Sequence, residues 1–440
     1  MPNDRGDSVL DRRNLLKVAL AAPAGAAVAW PAHASTPAPA PTPTRPSVPT
    51  VVGRGDAPAA LAKFDHVMKS FMLRRAITAG QLAIARKGKL VFARGYTGTT
   101  PWSSAPPVTP TSVFRIASAG KHITAAAILR LEQEGRLKLS DPITKHLALT
   151  PMPGKTADPR LAKVTLWRLM QHLAGWDRAV SGDPLWNDHT IARTLGTSLP
   201  IDHDDIMRFM TGRPLDFDPG TKMVYCNYGY MLLGRVIEKV SGLSYEDYVT
   251  RTFLRPLKIT RMRLGGSLRS EALPGEVAYT SKLTNKSVVD NSGAVVPYPY
   301  GGFNMPNQDA NGGWVASAVD LVRFERIFDL PTTTNLLSST AISRAFAKPE
   351  TGVPSNGAWY GGGWYVRTKN GGLNTWHTGS MPGTFTLVVR RYDGVTFAAF
   401  FNRRQEAGDP GFDEIDPLLY DTVSAVKTWP NIDLSAKYFR

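Results

Sequence analysis

Cysteine is nearly absent. Cys226 stands alone in 440 residues, which excludes any internal disulfide. A fold without such staples must be held by its apolar core, and a chain of this length can bury a sizeable one. Long apolar runs are lacking too: the most apolar N-terminal stretch, residues 18–30, is too short and too mild to cross a bilayer. No run of five or more Lys/Arg occurs, and no nucleic-acid-binding signature is present, so no nucleic acid partner is expected. G-x-S-x-G is missing, which argues against the nucleophile elbow of an α/β-hydrolase. H-E-x-x-H and paired Cys/His spacings are missing as well. Internal repeats are not found.

What is present reads as a globular chain, with 42% hydrophobic and 20% charged residues. The N-terminus reads as an export address. Arg12-Arg13 precede the alanine-rich stretch 18–30, and Ala32-His33-Ala34 supplies an A-x-A cleavage pattern. Residues 1–34 are therefore expected to be a twin-arginine signal peptide cleaved after about Ala34. The mature protein would then work outside the cytoplasm, extracellular or periplasmic and associated with the cell wall. No cysteine lies near Ala34 to carry a lipid anchor. The formal net charge is +16, and +15 without residues 1–34. That excess suits an anionic surface such as a cell wall, although a solvated basic surface is the plainer reading.

Residues 35–52 are proline-rich and aperiodic and read as an extended linker. The folded domain is expected over 53–430, with 431–440 as a C-terminal tail. A helix over 60–75 is followed by two β-rich runs split by Lys87-Gly88-Lys89, a hairpin signal. From Ser118, the spacing of Ile123, Ala126, Ala127 and Leu131 predicts a helix that stops at Gly135. Residues 140–300 read mostly as helix and loop, including an amphipathic helix over 231–242; another is predicted over 315–328. The last third turns to short strands, with turn signals at Asn370-Gly371 and Asp393-Gly394, before a final helix over 413–429. Strands at both ends of the chain predict an α+β fold: an antiparallel sheet flanked by helices, plus a mostly helical inserted region.

Three short marks lie in order within this frame: Ser118-x-x-Lys121 at the mouth of a helix, Tyr225-Cys226-Asn227 after the Pro219-Gly220 turn, and His377-Thr378-Gly379-Ser380 at the end of a strand. Ser-x-x-Lys alone decides nothing, since Ser424 and Lys427 repeat it on the last helix. The chemistry of the set is coherent. A serine hydroxyl needs a base to become a nucleophile. Residues i and i+3 share a helix face, so Lys121 can reach Ser118. An ammonium cannot accept a proton, so Lys121 must be desolvated or placed near another cation. Tyr225 can relay a proton if Lys121 lowers its pKa. Asn227, two residues on in an extended segment, points to the same side, with Cys226 pointing away as a buried small hydrophobe. His377 is expected on an edge strand whose backbone can pair with substrate. The N–H groups of Ser118 and Ser380 are candidate oxyanion donors.

With these marks the chain resembles the penicillin-recognising serine hydrolases of the class C β-lactamase type. That group includes class C β-lactamases, D-Ala-D-Ala carboxypeptidases, D-aminopeptidases and related esterases. The stretches FRIASAGKHITA, LWRLMQHLAGW, DPGTKMVYCNYGYMLLGRVIEKVSG and GGWVASAVDLVRF carry the likeness over roughly residues 56–405. The resemblance implies a β-lactamase/DD-peptidase-like fold, Ser118 as the acylated nucleophile and Lys121 and Tyr225 as proton-transfer partners. Asn227, His377, Thr378, Gly379 and Ser380 would bind and position the substrate. It implies no metal and no organic cofactor. Where class C β-lactamases begin the third motif with lysine, this chain has His377. A neutral imidazole is the poorer anchor for a β-lactam carboxylate.

The expected function is that of an exported serine hydrolase acting through a Ser118 acyl-enzyme on an ester or amide, as a carboxylesterase or a D-Ala-D-Ala carboxypeptidase. A class C-type β-lactamase is the alternative within the same chemistry, and a non-catalytic sensor or scaffold the alternative outside it. The partner would be a small molecule or a cell-wall peptide, and nothing in the sequence sets the oligomeric state. Elsewhere, His189 and His203-Asp204-Asp205 offer metal-ligand types, but Asp204 and Asp205 read better as a helix start. His172 is expected to make structural hydrogen bonds, and Trp176-Asp177-Arg178 to lie at the site mouth or on a surface turn.

Overall fold

The computed structural model describes residues 49–99, 106–330 and 332–439. The expected signal peptide, and residues 35–48 of the expected linker, lie outside the described residues. Strand β1 (Thr50–Asp56) already begins inside the stretch read as linker. Helix α1 (Ala62–Arg74) follows and buries Phe64, Met68, Phe71 and Met72, an i, i+4, i+7, i+8 stripe. Strands β2 (Ala79–Arg86) and β3 (Lys89–Thr99) form the expected hairpin. Its Lys87 and Gly88 both take positive φ, 48° and 76°, as a tight turn matched to the strand twist requires.

The C-terminal third adds β4 (Ala358–Tyr360), β5 (Tyr365–Lys369), β6 (Gly372–Met381), β7 (Thr384–Arg390) and β8 (Val395–Phe401). Together they make one eight-stranded sheet in the order β1-β3-β2-β8-β7-β6-β5-β4, antiparallel at every joint. Side chains alternate across it with period two. Leu82, Ile84, Leu387, Val389, Phe397, Ala399 and Phe401 face α1 and the C-terminal helix Ile415–Ser424. Ala83, Ala85, Val388, Ala398 and Phe400 face the inserted helical region. The predicted architecture therefore stands, with both chain ends in the sheet and the helical region between them.

Within that region the site rests on four helices. α2 (Lys121–Gln133) is central and almost wholly buried. The helix expected over 231–242 is α3 (Asn227–Ser241), which starts earlier and ends on Gly242 at φ 74°, a left-handed stop. α4 (Asp309–Gly312) is a single turn, and α5 (Ala318–Phe324) packs on β2 and β8. Residues 315–328 are thus not one helix. Trp314–Ala316 is a strand paired with Phe114–Arg115 and Arg263–Leu264, and Ser317 then starts α5 with a capping box to Asp320.

The C-terminus also differs from expectation. The last long helix stops at Ser424, and Trp429 lies under the Arg86 guanidinium at 5.2 Å. Residues 431–439 dock on the domain: Leu434 N–H donates to the Leu90 carbonyl at 2.8 Å, Lys437 pairs with Asp56 at 2.8 Å, and Phe439 is buried.

Close approach of α3 and α4 depends on Gly234, where an added Cβ would meet the Ala310 Cβ at 2.6 Å. An alanine at a free helix position gains about 1 kcal/mol over glycine, whereas overpacking costs about 1–3 kcal/mol. Gly234→Ala is expected to lower the urea midpoint; a raised midpoint would show that the α3–α4 contact is loose.

Candidate active site

Ser118 sits on a short 3-10 turn, Ala117–Gly120, that runs directly into α2. The expected helix therefore begins at Lys121, with Ser118 in the tighter turn before it. Ala117 takes φ 49°, a conformation few residues with a side chain adopt. The turn is pinned on both sides. Ile116 N–H donates to the Trp314 carbonyl at 2.9 Å. From β7, the Thr386 and Thr384 hydroxyls donate to the Ile116 and Arg115 carbonyls, each at 2.8 Å. Strand β6 crosses so closely that a Cβ on Gly379 would lie 2.2 Å from the Ile116 carbonyl oxygen. Only glycine fits there.

Lys121 is fully buried. Its Nζ donates to Ser118 Oγ at 3.1 Å, to Asn227 Oδ1 at 2.8 Å and to the Asn311 carbonyl at 2.7 Å. All three ammonium protons thus have acceptors. Burial pulls its pKa from the usual 10.5 down to about 7; Asp183 opposes the fall and Arg178 adds to it. The Nζ also lies 4.8 Å from the centre of the Tyr225 ring.

Tyr225 hydrogen-bonds to Ser118, but its pKa is not lowered as expected. Burial raises it well above the ordinary value, so it stays a neutral phenol. Asn227 is the first residue of α3 and not part of an extended segment, yet it still reaches Lys121. Its Nδ2 donates to Asp183 Oδ2 at 2.6 Å, which fixes the amide with its oxygen toward the lysine. Cys226 packs at the core edge with its thiol pushed up to about 12, an inert sulfur as expected. His172 has the structural role read for it: Nδ1 accepts the Cys226 N–H at 3.1 Å, and burial drives its pKa well down.

His377 is buried, and burial lowers its pKa to about 3. Its Nδ1 lies 2.6 Å from the Thr378 carbonyl, which can only accept, so Nδ1 carries the proton. Nε2 then accepts from the Tyr360 hydroxyl at 3.0 Å. Both ring nitrogens are engaged within the protein. The edge-strand expectation needs correction. Pairing with β5 covers β6 up to Trp376, whereas His377–Met381 pair only with β7. β6 is interior in its first half and an edge in its second. The register puts His377 and Gly379, opposite Val388 and Thr386, on the helical face. Thr378 and Ser380 lie opposite Leu387 and Phe385, on the other face. The latter two can thus serve the site through their backbones.

Among the described residues no cluster of His, Cys, Asp or Glu is arranged to hold a metal. His203 pairs with Asp309 and Arg235, while Asp202 and Asp205 cap the helix His203–Thr211. The second serine of the pattern, Ser424, gives its hydroxyl proton to the Tyr420 carbonyl at 2.9 Å.

A family model described as Beta-lactamase matches residues 64–419. The chain belongs to the beta-lactamase family of serine hydrolases. Among curated proteins it is similar to Protein flp of Staphylococcus aureus (strain COL), 29% identical over 198 residues, which is 45% of this chain and 37% of that protein. It is also similar to the probable fimbrial assembly protein FimD, serogroup H1, of Dichelobacter nodosus, 35% identical over 180 residues and 39% of each chain. The matched stretch thus spans well under half of these relatives. Solved structures share the fold. The octameric penicillin-binding protein homologue from Pyrococcus abyssi has TM-score 0.61 and 23% identity over 85% of this chain and 78% of its own. The D-amino acid amidase from Ochrobactrum anthropi SV3, complexed with D-phenylalanine, has TM-score 0.62 and 18% identity over 84% and 99%.

In this beta-lactamase-family site, sequence reading missed Asp183, the Asn311 carbonyl and a side cavity. Asp183 is a lone acid in an unremarked Asp-Pro-Leu-Trp stretch, and a carbonyl has no residue signature. The cavity, of about 130 Å³, is lined by Trp186, Asp188, His189, Tyr298 and Phe303 among others. Its aromatic wall shares an apolar cluster with Ala117 and Met381, beside the Ser118 turn. The Lys121 Nζ should titrate near 7 by NMR of labelled lysine. Asp183→Asn, which keeps an acceptor for Asn227, should move that midpoint lower, because it removes the charge that favours the ammonium. A midpoint that stays put or rises would show that Asp183 does not act on Lys121 electrostatically.

Proposed function

We propose that the chain is an exported serine hydrolase that forms an acyl-enzyme on Ser118 with esters or amides. The observation that carries this reading is a buried lysine, poised near neutrality, 3.1 Å from a serine hydroxyl on a strained turn. Neutral Lys121 takes the Ser118 proton as Oγ attacks the carbonyl carbon. The N–H groups of Ser118 and Ser380 hold the oxyanion. As the tetrahedral adduct collapses, Tyr225 gives its phenol proton to the leaving group and is reprotonated from the Lys121 ammonium. Water then attacks the ester, and the same groups return the proton to Ser118. Because Tyr225 stays neutral before the reaction, Lys121 alone is the base and Tyr225 the conduit.

Carboxylic esters and D-amino-acid peptides or amides are the proposed substrates. The D-amino acid amidase and the D-stereospecific amidohydrolase from Streptomyces sp. among the structural neighbours support the second class. The engaged, neutral His377 weighs against efficient β-lactam turnover. Export rests on the twin-arginine segment.

A fluorophosphonate probe should label the wild type and Ser424→Ala, but not Ser118→Ala. Labelling of Ser118→Ala would overturn the nucleophile assignment. The acylation rate of the wild type should rise with pH through a midpoint near 7, since the ammonium cannot accept a proton below it and the amine can above it. Lys121→Ala, folded by circular dichroism, should acylate at least about 100-fold more slowly. Unchanged acylation in that variant would remove Lys121 as the base.

A further inference from the structure

The side cavity holds about 130 Å³, and none of Ser118, Lys121, Tyr225, Asn227 or His377 lines it. Trp186, Tyr298 and Phe303 give it a continuous aromatic wall. The Trp186 ring centre lies 5.2 Å from that of Phe303 and 6.4 Å from that of Tyr298. Asp188 and His189 line the cavity as well. Asp188 is only 4% exposed. Its place at the head of the helix Asp188–Leu195 accounts for an acid, but not for one so buried. A carboxylate taken out of water is costly unless a cation meets it. Among the described residues none pairs with Asp188. Its carboxyl has only Asn304 and its own backbone N–H as partners, and burial pushes it up to about 7. Two cations touch the wall from elsewhere. Arg115, against the Phe303 ring, donates to the Pro299 and Gly266 carbonyls. Arg404, 6.0 Å from the centre of the Tyr298 ring, makes no ion pair with Asp188. Burial raises the Tyr298 pKa, Arg404 opposes the rise and Asp188 adds to it, so the carboxylate lies within reach of that wall. A second polar group is also left over: His189 Nε2 is buried with no hydrogen-bond partner among the described residues.

These features select one kind of ligand. Two donors fall short of a metal site, and no cluster of three or more His, Cys, Asp or Glu stands among the described residues. A primary ammonium fits. It carries three N–H donors, which a carboxylate and an imidazole nitrogen can accept. Its charge is attracted to the faces of aromatic rings, and its alkyl part packs on them. The volume is close to that of a cavity known to take up one benzene molecule, which limits the ligand to a small alkyl group. We infer that the cavity is a binding site for a small alkylammonium, with the Asp188 carboxylate as counter-ion, His189 Nε2 as a second acceptor and Trp186, Tyr298 and Phe303 as its wall. The site stands apart from the acyl-enzyme reading and would hold even if Ser118 were inert. Two sources present such a group: a free amine, and the amino end of a substrate.

The test titrates the full chain with cyclopentylammonium and with cyclopentanol, its neutral match in shape. Binding is read by calorimetry at about pH 8.5, where Asp188 is ionised and the amine still protonated. The wild type should bind the ammonium at least about tenfold more tightly than the alcohol. Asp188→Asn should cut the ammonium affinity at least about tenfold and leave that of cyclopentanol within about twofold. Trp186→Leu keeps an apolar wall but removes the ring, and should lower the ammonium-to-alcohol ratio about threefold. It carries the test if Asp188→Asn does not fold. Equal binding of the two ligands by the wild type, no binding of the ammonium, or a ratio that either folded variant leaves intact would overturn the inference. Competition separates the two sources. For the amino end of a substrate, cyclopentylammonium should raise KM for p-nitrophenyl ε-aminocaproate and not for p-nitrophenyl caproate. For a free amine, both KM values should stay unchanged. Failure to hydrolyse either ester would count against the acyl-enzyme reading alone, because the calorimetry needs no turnover.

Discussion

The arrangement depends on one buried amine. Lys121 Nζ is held by Ser118 in its own turn, by Asn227 at the start of α3 and by a carbonyl of α4. A lysine taken out of water is costly unless its protons find acceptors, so those three segments must meet at one point. The surrounding contacts serve that meeting. Thr124 on α2 donates to the Ala310 carbonyl at 2.6 Å, and Tyr245, bonded to Thr124, accepts from Trp314 at 2.9 Å. These bonds lock α4 onto α2, while Gly234 lets α3 close on α4. The desolvation that makes the site expensive to build also brings the amine to about 7. Foldedness and basicity thus come from the same burial.

The sheet supplies the second constraint, which is positional. A pleated strand offers side chains to each face alternately. β6 uses that alternation to send His377 and Gly379 toward the Ser118 turn while its free half keeps an open backbone edge. Close contact requires that the residue over Ile116 have no side chain, and two threonine hydroxyls from β7 tie the same turn down. The unusual φ of Ala117 persists because bonds on both sides over-determine it.

Much of this was legible in the sequence, for physical reasons. Strand and helix periods, the Lys87-Gly88 turn and the Gly242 stop each encode local geometry, and the local geometry matched. The three motifs named Ser118, Lys121, Tyr225, Asn227 and His377 because their chemistry needs those residue types. Reading failed where tertiary context decides. Strand pairing of Trp314–Ala316 overrode a helical pattern over 315–328. Residues 431–439 look like a tail until Asp56 and Leu90 receive them. Asp183 and the Asn311 carbonyl carry no pattern, and the neutral state of Tyr225 follows from burial that no sequence displays.

The electrostatics of the pocket then form a single system. His172, His377 and Tyr225 are all driven toward their neutral forms by burial. A wall of neutral rings screens charge poorly, so the ions that remain act strongly on one another. Asp183 holds Lys121 toward the ammonium, and Arg178 pushes it toward the amine. Base strength and the charge at the mouth are therefore coupled. A neutral histidine in the third motif spares the base: a second cation beside Lys121 would depress its proton affinity further.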